Sequence, residues 1–257
     1  METQSPNKWF SIQRLAEGLY GIGEFGHVEE VISFLLVGEQ IAILIDSGMG
    51  FFSMNQIVSS ITTLPCRVIN THAHFDHVGS NVEFPDIWLF DHPSTRRAAV
   101  DGFSRGYLSQ WSSAGQFSSC VPTTAAEYSI KAFPWARFFD ETAVFHAKPY
   151  ELTVLHTPGH SDDSVCLFEA QKGWLFGGDL LYDGPIYIER VGGLAKFRRS
   201  IASVSSLPGL TRIFSSHNYF EFSLEKLAQL RAVVERIPTA DLEQEVAVQG
   251  RLRLVPG

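Results

Sequence analysis

Cysteine is scarce in this chain: three residues in 257, at Cys66, Cys120 and Cys166, with no C-x-x-C pair among them. An odd count at wide spacing excludes a disulfide framework and a zinc knuckle. Cys66 and Cys166 lie in or beside apolar runs and read as buried, inert thiols. Cationic charge is short as well, 20 Lys and Arg against 28 Asp and Glu, for a net charge of -8. That balance argues against a nucleic-acid backbone or an anionic membrane surface as the main partner, although a local metal would still admit an anionic substrate. No uninterrupted apolar run approaches the ~20 residues a membrane-spanning helix needs. The most apolar region, VISFLLVGEQIAILI, is broken by Gly38-Glu39-Gln40 and reads as two strands and a turn. The start, METQSPNKWF, has no basic stretch followed by an apolar core, so no secretory signal is read there and a cytoplasmic location is expected. A dinucleotide-type glycine loop is missing too, and no organic cofactor is expected.

What is present is ample material for a core, with 45% hydrophobic residues and no need of a staple. Short β-rich runs lead: residues 19–23, 31–37, 41–45, 67–70 and 87–90, with a helix expected over 54–61. IAILI is apolar on both faces, as in a strand buried on both sides. The later part repeats the theme at 152–156, 165–168, 174–178 and 212–216. Leu194, Phe197, Ile201 and Val204 recur at helical spacing before Leu207-Pro208-Gly209. Leu224, Leu227, Leu230, Val234 and Ile237 do the same, with Ser223 as N-cap and Pro238 as the stop. Strands with intervening helices in both halves imply two packed sheets covered by helices. The last residues, VAVQGRLRLVPG, suit an added edge strand or a loose tail.

The stretch 93–148 differs, carrying Phe103, Tyr107, Trp111, Phe117, Tyr128, Phe133, Trp135, Phe138, Phe139 and Phe145 among many small polar residues. It reads as an aromatic-rich helical insertion, either a cap packed on itself or a lid lining an apolar substrate pocket.

The chemistry concentrates in Thr71-His72-Ala73-His74-Phe75-Asp76-His77, which holds three of the nine histidines. RVIN is a strand, so His72 and His74 stand at its end, on one side of extended backbone, with small Ala73 facing away. Two imidazoles on one side form a bite for a borderline metal such as zinc. Asp76 and His77 follow one turn later. Further ligand types stand at other strand ends: His160 in TPGH, Asp179 in GGD and His217 in SHN. Five histidines and two aspartates suffice for two metal ions sharing a bridge. His27, His92, His146 and His156 have no such surroundings and read as structural or surface residues, and Asp162 and Asp163 read as a solvated turn.

The order H-x-H-x-D-H, TPGH, GGD, SHN resembles the metallo-β-lactamase-fold hydrolase superfamily, and so do LYGIGE and IDSGMG near the start. The resemblance covers nearly the whole chain and implies one α/β domain over residues 1–257, a four-layer αβ/βα sandwich with metals at one edge. It implies His72, His74 and His160 on one divalent ion and Asp76, His77 and His217 on the other, with Asp179 bridging. Zinc is the metal expected, with manganese or iron as alternatives. Asp46 would orient a ligand imidazole. Ser216 departs from the glycine common before the last histidine.

Such a centre implies hydrolysis by a metal-bridging hydroxide, since bound divalent ions bring the pKa of water to about 7. Asp76 would position the nucleophile and shuttle a proton. The carboxylate at Asp179 resembles the thioesterase, lactonase and phosphodiesterase branches, and GGDLLYDG resembles the acyl-CoA thioesterase-type members. Tyr182 matches a tyrosine that some acyl-homoserine lactonases place beside the metals, where it would hydrogen-bond substrate; the alternative is a strand-edge aromatic. The expected substrate is a small molecule with an apolar acyl part, an acyl thioester ahead of a lactone, with no nucleic acid. The rival readings are a mononuclear iron persulfide dioxygenase and a β-lactam or phosphodiester hydrolase; a glyoxalase-II-like role lacks a basic cluster near the C-terminus. Oligomeric state is not legible.

Overall fold

The computed structural model describes residues 2–4, 9–109, 128–189, 192–237 and 252–255. The chain divides into two compact units, residues 1–139 with 146–150, and residues 140–145 with 151–257.

The first unit is built on β1 (Glu2–Gln4), β2 (Phe10–Ala16), β3 (Leu19–Glu24), β4 (Val31–Val37), β5 (Ala42–Ile45), β6 (Cys66–Ile69), β7 (Asp86–Phe90) and β8 (Arg137–Phe139). These eight strands form one sheet in chain order. From β1 to β5 every pairing is antiparallel, and β2–β3 and β4–β5 are joined by short connections. From β5 to β8 the pairing is parallel, which requires crossovers. The first crossover is α1 (Met54–Ile61), where the Ser53 hydroxyl accepts from the Gln56 amide and Met54 and Val58 point into the core. Each such buried side chain contributes about 2 kcal/mol. VISFLLVGEQIAILI forms β4 and β5, paired from Val37 and Ala42 outward. Both strands are almost wholly buried, as their unbroken apolar character requires.

The described residues of the stretch 93–148 include sheet strands as well as helices. It holds α3 (Pro93–Asp101) and the short α4 (Arg105–Leu108). It also supplies β8, which closes one edge of the sheet against β7, and β9 (Val144–Ala147) of the second sheet. Aromatics such as Phe133 and Phe139 are therefore core and sheet residues. Trp111 and Phe117 lie outside the described residues.

The second sheet has six strands in the order β15-β14-β12-β11-β10-β9. The new members are β10 (Tyr150–His156), β11 (Val165–Glu169), β12 (Trp174–Phe176), β14 (Arg212–Phe214) and β15 (Glu221–Phe222). In the second unit α5 (Gly193–Ser205) buries Leu194, Phe197, Ile201 and Val204, and α6 (Leu224–Arg236) buries Leu227, Leu230 and Val234. Ser223 caps α6 by accepting from the Lys226 amide. Leu224, counted in the apolar stripe, is 43% exposed; it is the first residue of the helix. The C-terminal β16 (Leu252–Val255) runs parallel to β13 (Ile186–Glu189) as a separate pair. Among the described residues no helix is long and apolar enough to cross a membrane.

Candidate metal centre

In the first unit, β5 and β6 lie parallel with Ile45 opposite Ile69, so the chain leaves both strands at the same end of the sheet. Asp46 follows β5 with φ of 60°, a left-handed conformation that costs energy for a non-glycine residue. Its amide donates to the Ile69 carbonyl at 3.1 Å. Its carboxylate accepts from the Thr71 amide at 2.7 Å and the Thr71 hydroxyl at 2.8 Å. The same carboxylate holds His77 Nδ1 at 2.8 Å. The Thr71 hydroxyl is also 3.1 Å from His72 Nδ1.

His74 precedes the single-turn α2 (Phe75–Val78), which presents Asp76 and His77. The His77 carbonyl accepts from the Ser47 amide and the Asn70 side chain, both at 2.8 Å. Imidazole centroids lie 4.5 Å apart for His72 and His74 and 4.1 Å apart for His72 and His77. His77 Nε2 is 3.6 Å from Asp76 Oδ2. His72, Asp76 and His77 are buried, and all four side chains of the string come together.

In the second unit, parallel β12 and β14 align Phe176 with Phe214. Three residues beyond each stand Asp179 and His217. His217 Nε2 is 3.1 Å from Asp179 Oδ1, and His160 Nε2 is 3.3 Å from Asp179 Oδ2. His160 is held through its other nitrogen, Nδ1, against the Tyr187 carbonyl at 3.0 Å. Ser216, the departure from glycine, donates its hydroxyl to Asp179 Oδ1 at 2.7 Å. The Tyr182 ring packs 5.0 Å from His217, and its hydroxyl donates to the Pro185 carbonyl.

The donor set suits a divalent transition metal: imidazoles and carboxylates, all but His74 buried. His72, His77 and His160 are each engaged through Nδ1, which orients the ring and leaves Nε2 as the nitrogen that could take a metal ion. Outside these clusters, His27 stacks on Phe51, His92 caps α3, and His156 contacts the Asp162 carbonyl. Asp163 is buried, which corrects the reading of a solvated turn. The Asp162–Ser164 bend is drawn in by the Ser161–Ser164 hydrogen bonds. Asp162 pairs with Lys196. Burial raises the thiols of Cys66 and Cys166 to about 12, so neither is a nucleophile at neutral pH.

Two buried acids, Glu24 and Glu169, were not singled out in the sequence. Glu24, at the end of β3, is 1% exposed and raised to about 7, chiefly by burial. LYGIGE ends an apolar strand on a carboxylate, and a charged side chain is read as exposed unless a partner is seen for it.

Sequence comparison places the chain in a family. The sequence model described as "Metallo-beta-lactamase superfamily" matches residues 29–233. The chain belongs to this superfamily of metallo-hydrolases, and its fold is the α/β fold of that superfamily, with two sheets and helices. Among curated relatives it is 26% identical over 198 residues to the human acyl-coenzyme A thioesterase MBLAC2, covering 70% of this chain and 69% of that one. A hydroxyacylglutathione hydrolase from Pelagibacter ubique is 23% identical over 155 residues, 59% of this chain and 51% of that protein. Among solved structures, a metallo-beta-lactamase family protein from Thermus thermophilus superposes with a TM-score of 0.63 at 19% identity, covering 86% of this chain and 81% of that one.

Proposed function

We propose that this chain is a dinuclear metal-dependent thioesterase acting on an acyl-CoA-type substrate, with a lactone as the second choice. In this reading the two ligand clusters serve one centre. His72, His74 and His160 would hold one divalent ion, Asp76, His77 and His217 would hold the other, and Asp179 would serve both. Zinc suits the mixed imidazole and carboxylate donors, with manganese or iron as the alternatives. The observation that carries the proposal is that buried imidazoles in each unit are anchored through Nδ1 with Nε2 turned toward a carboxylate. Membership of the superfamily and the thioesterase named among the relatives favour the substrate class.

Bound divalent ions supply Lewis acidity and a nucleophile at neutral pH. The protein's own groups do the rest. Asp46 keeps His77 in one tautomer and orientation. Asp76, buried beside His77, positions the nucleophile and moves its proton. Ser216 orients Asp179, and Tyr182, with its hydroxyl engaged by Pro185, supports the His217 ring. Tyr107, 46% exposed and packed on Phe103, offers apolar surface for an acyl chain. Its phenol is raised by burial and by Asp76, which places it within electrostatic reach of the first cluster.

The test is a metal-loaded activity panel of acyl-CoAs, acyl-homoserine lactones, S-lactoylglutathione, a chromogenic cephalosporin and a phosphodiester. Turnover of acyl-CoA that is lost with the metal supports the reading. Full activity without metal, or one iron per chain with oxygen consumption, overturns it.

A further inference from the structure

Glu24 contributes nothing to either ligand cluster directly, yet it lies under the loop that supports one of them. Its two carboxylate oxygens have separate tasks: Oε2 accepts from Trp9 Nε1 at 2.6 Å and Oε1 from the Met49 amide at 2.8 Å. The loop it grips, residues 46–50, is locked in turn to the ligand string. The Ser47 amide donates to the His77 carbonyl and the Gly79 amide to the Gly48 carbonyl, both at 2.8 Å. The fit leaves no slack. A Cβ at Gly48, where φ is 71°, would stand 1.7 Å from Glu24 Oε1, and one at Gly79 would stand 2.1 Å from the Met49 carbonyl carbon. Movement of Glu24 would pass through Met49 and Gly48 to the segment bearing Asp76 and His77, and through Ser47 to Asp46.

We infer that Glu24 is a positioning residue for the first metal cluster, a buried carboxylate clamp that holds the Asp46–Gly50 loop against α2 so that Asp76 and His77 stand ready for a metal ion. The inference rests on the metal-centre reading above for its consequence, and on Glu24's hydrogen bonds for its mechanism. Glutamine at this position keeps the shape but cannot accept at both ends: its amide nitrogen meets either Trp9 Nε1 or the Met49 amide as a second donor.

The experiment compares the full-length chain with Glu24→Gln, Trp9→Phe and a core control, Leu89→Ala, a truncation in β7 of the same unit. Two readouts are taken: amide hydrogen exchange in the metal-free protein, and cobalt(II) affinity by chelator competition. Glu24→Gln is expected to speed exchange in peptides covering 46–50 and 71–79 beyond what its loss of thermal stability accounts for. It is expected to weaken cobalt(II) binding about tenfold or more, the range seen when a support behind a ligand is removed. Trp9→Phe, which spares the Met49 bond, should fall between wild type and Glu24→Gln. The control should lose stability without selective loosening of those peptides. Exchange in Glu24→Gln that matches the control, or stays at the wild-type rate, overturns the clamp. Absence of cobalt(II) binding by the wild-type protein overturns the metal-hydrolase reading instead, and the exchange comparison still decides the clamp.

Discussion

The first unit draws its four candidate ligands from a single string, residues 72–77, and backs them with a dense polar platform. Asp46 alone makes bonds to Thr71 and His77, and the Ser47, Asn70 and Asn81 side chains interlock beneath. The second unit gathers its three from turns at 160, 179 and 217, where the Tyr187 carbonyl holds His160 and the Ser216 hydroxyl holds Asp179. Ligands close in sequence crowd one another and need a rigid base. Ligands on separate strand ends are placed by the sheet itself, because the parallel register of β12 and β14 already brings Asp179 and His217 side by side.

The largest test of this contrast removes a ligand from each unit. His74→Ala and Asp179→Ala should each cost more than the ~100-fold upper range for an outer support in turnover, and each should lower the metal content measured by elemental analysis. If one unit's ligand proves dispensable, the two clusters do not share a function. Next comes the platform: Asp46→Ala should reduce metal affinity about 10- to 100-fold, read by chelator competition.

A third test uses pH on the metal-free protein. Burial raises Glu24 from 4.5 to about 7, with Asp76 and Glu83 adding to the rise and the bonds from Trp9 and Met49 opposing it. The folded chain then keeps a proton that the unfolded chain releases. This group's stabilisation is full below about pH 4.5 and is lost as pH rises toward about 7. Denaturant unfolding of wild type minus Glu24→Gln should show that decline, and equal pH slopes for the two proteins would refute it. Ser216→Ala in the second unit should cost less than Asp46→Ala, about 1 kcal/mol for one hydrogen bond, seen as a few-fold loss in metal affinity. A larger loss would mean that the second cluster depends on a single support. Smallest of all, Lys226→Ala breaks only the exposed pair with Asp183 and should change stability by less than about 1 kcal/mol in thermal melts.

Much of the scaffold was legible because it rests on local patterns. Met54–Ile61, the two long helices and the strands at β3 to β7, β10 to β12 and β14 stand where apolar periodicity and caps put them. β1, β2, β8, β9, β13 and β15 were missed, being short or mixed in polarity, and they exist through pairing with neighbours. The same limit governed 93–148: an aromatic such as Phe139 reads alike as cover or as sheet, and only its place opposite Phe90 in the parallel ladder decides. Asp163 and Glu24 failed for a related reason. Charge predicts exposure, and their burial is set by hydrogen bonds made by the Ser161–Ser164 turn and by Trp9 and Met49, which no local pattern encodes.

By itself the sequence determined the kind of chemistry, because residue types are written in it: imidazoles two apart on a strand end, with carboxylates after glycines at others. It determined the two long helices as well, since capping and apolar spacing act within a few residues. The tertiary structure alone decided which nitrogen of His72, His77 and His160 is tied back, that Ser216 braces Asp179, and that a carboxylate fifteen residues from Trp9 lies beneath the Asp46 loop. Apart from the contact of Thr71 with its neighbour His72, those are contacts between distant parts of the chain, and they exist only once the fold has brought them together.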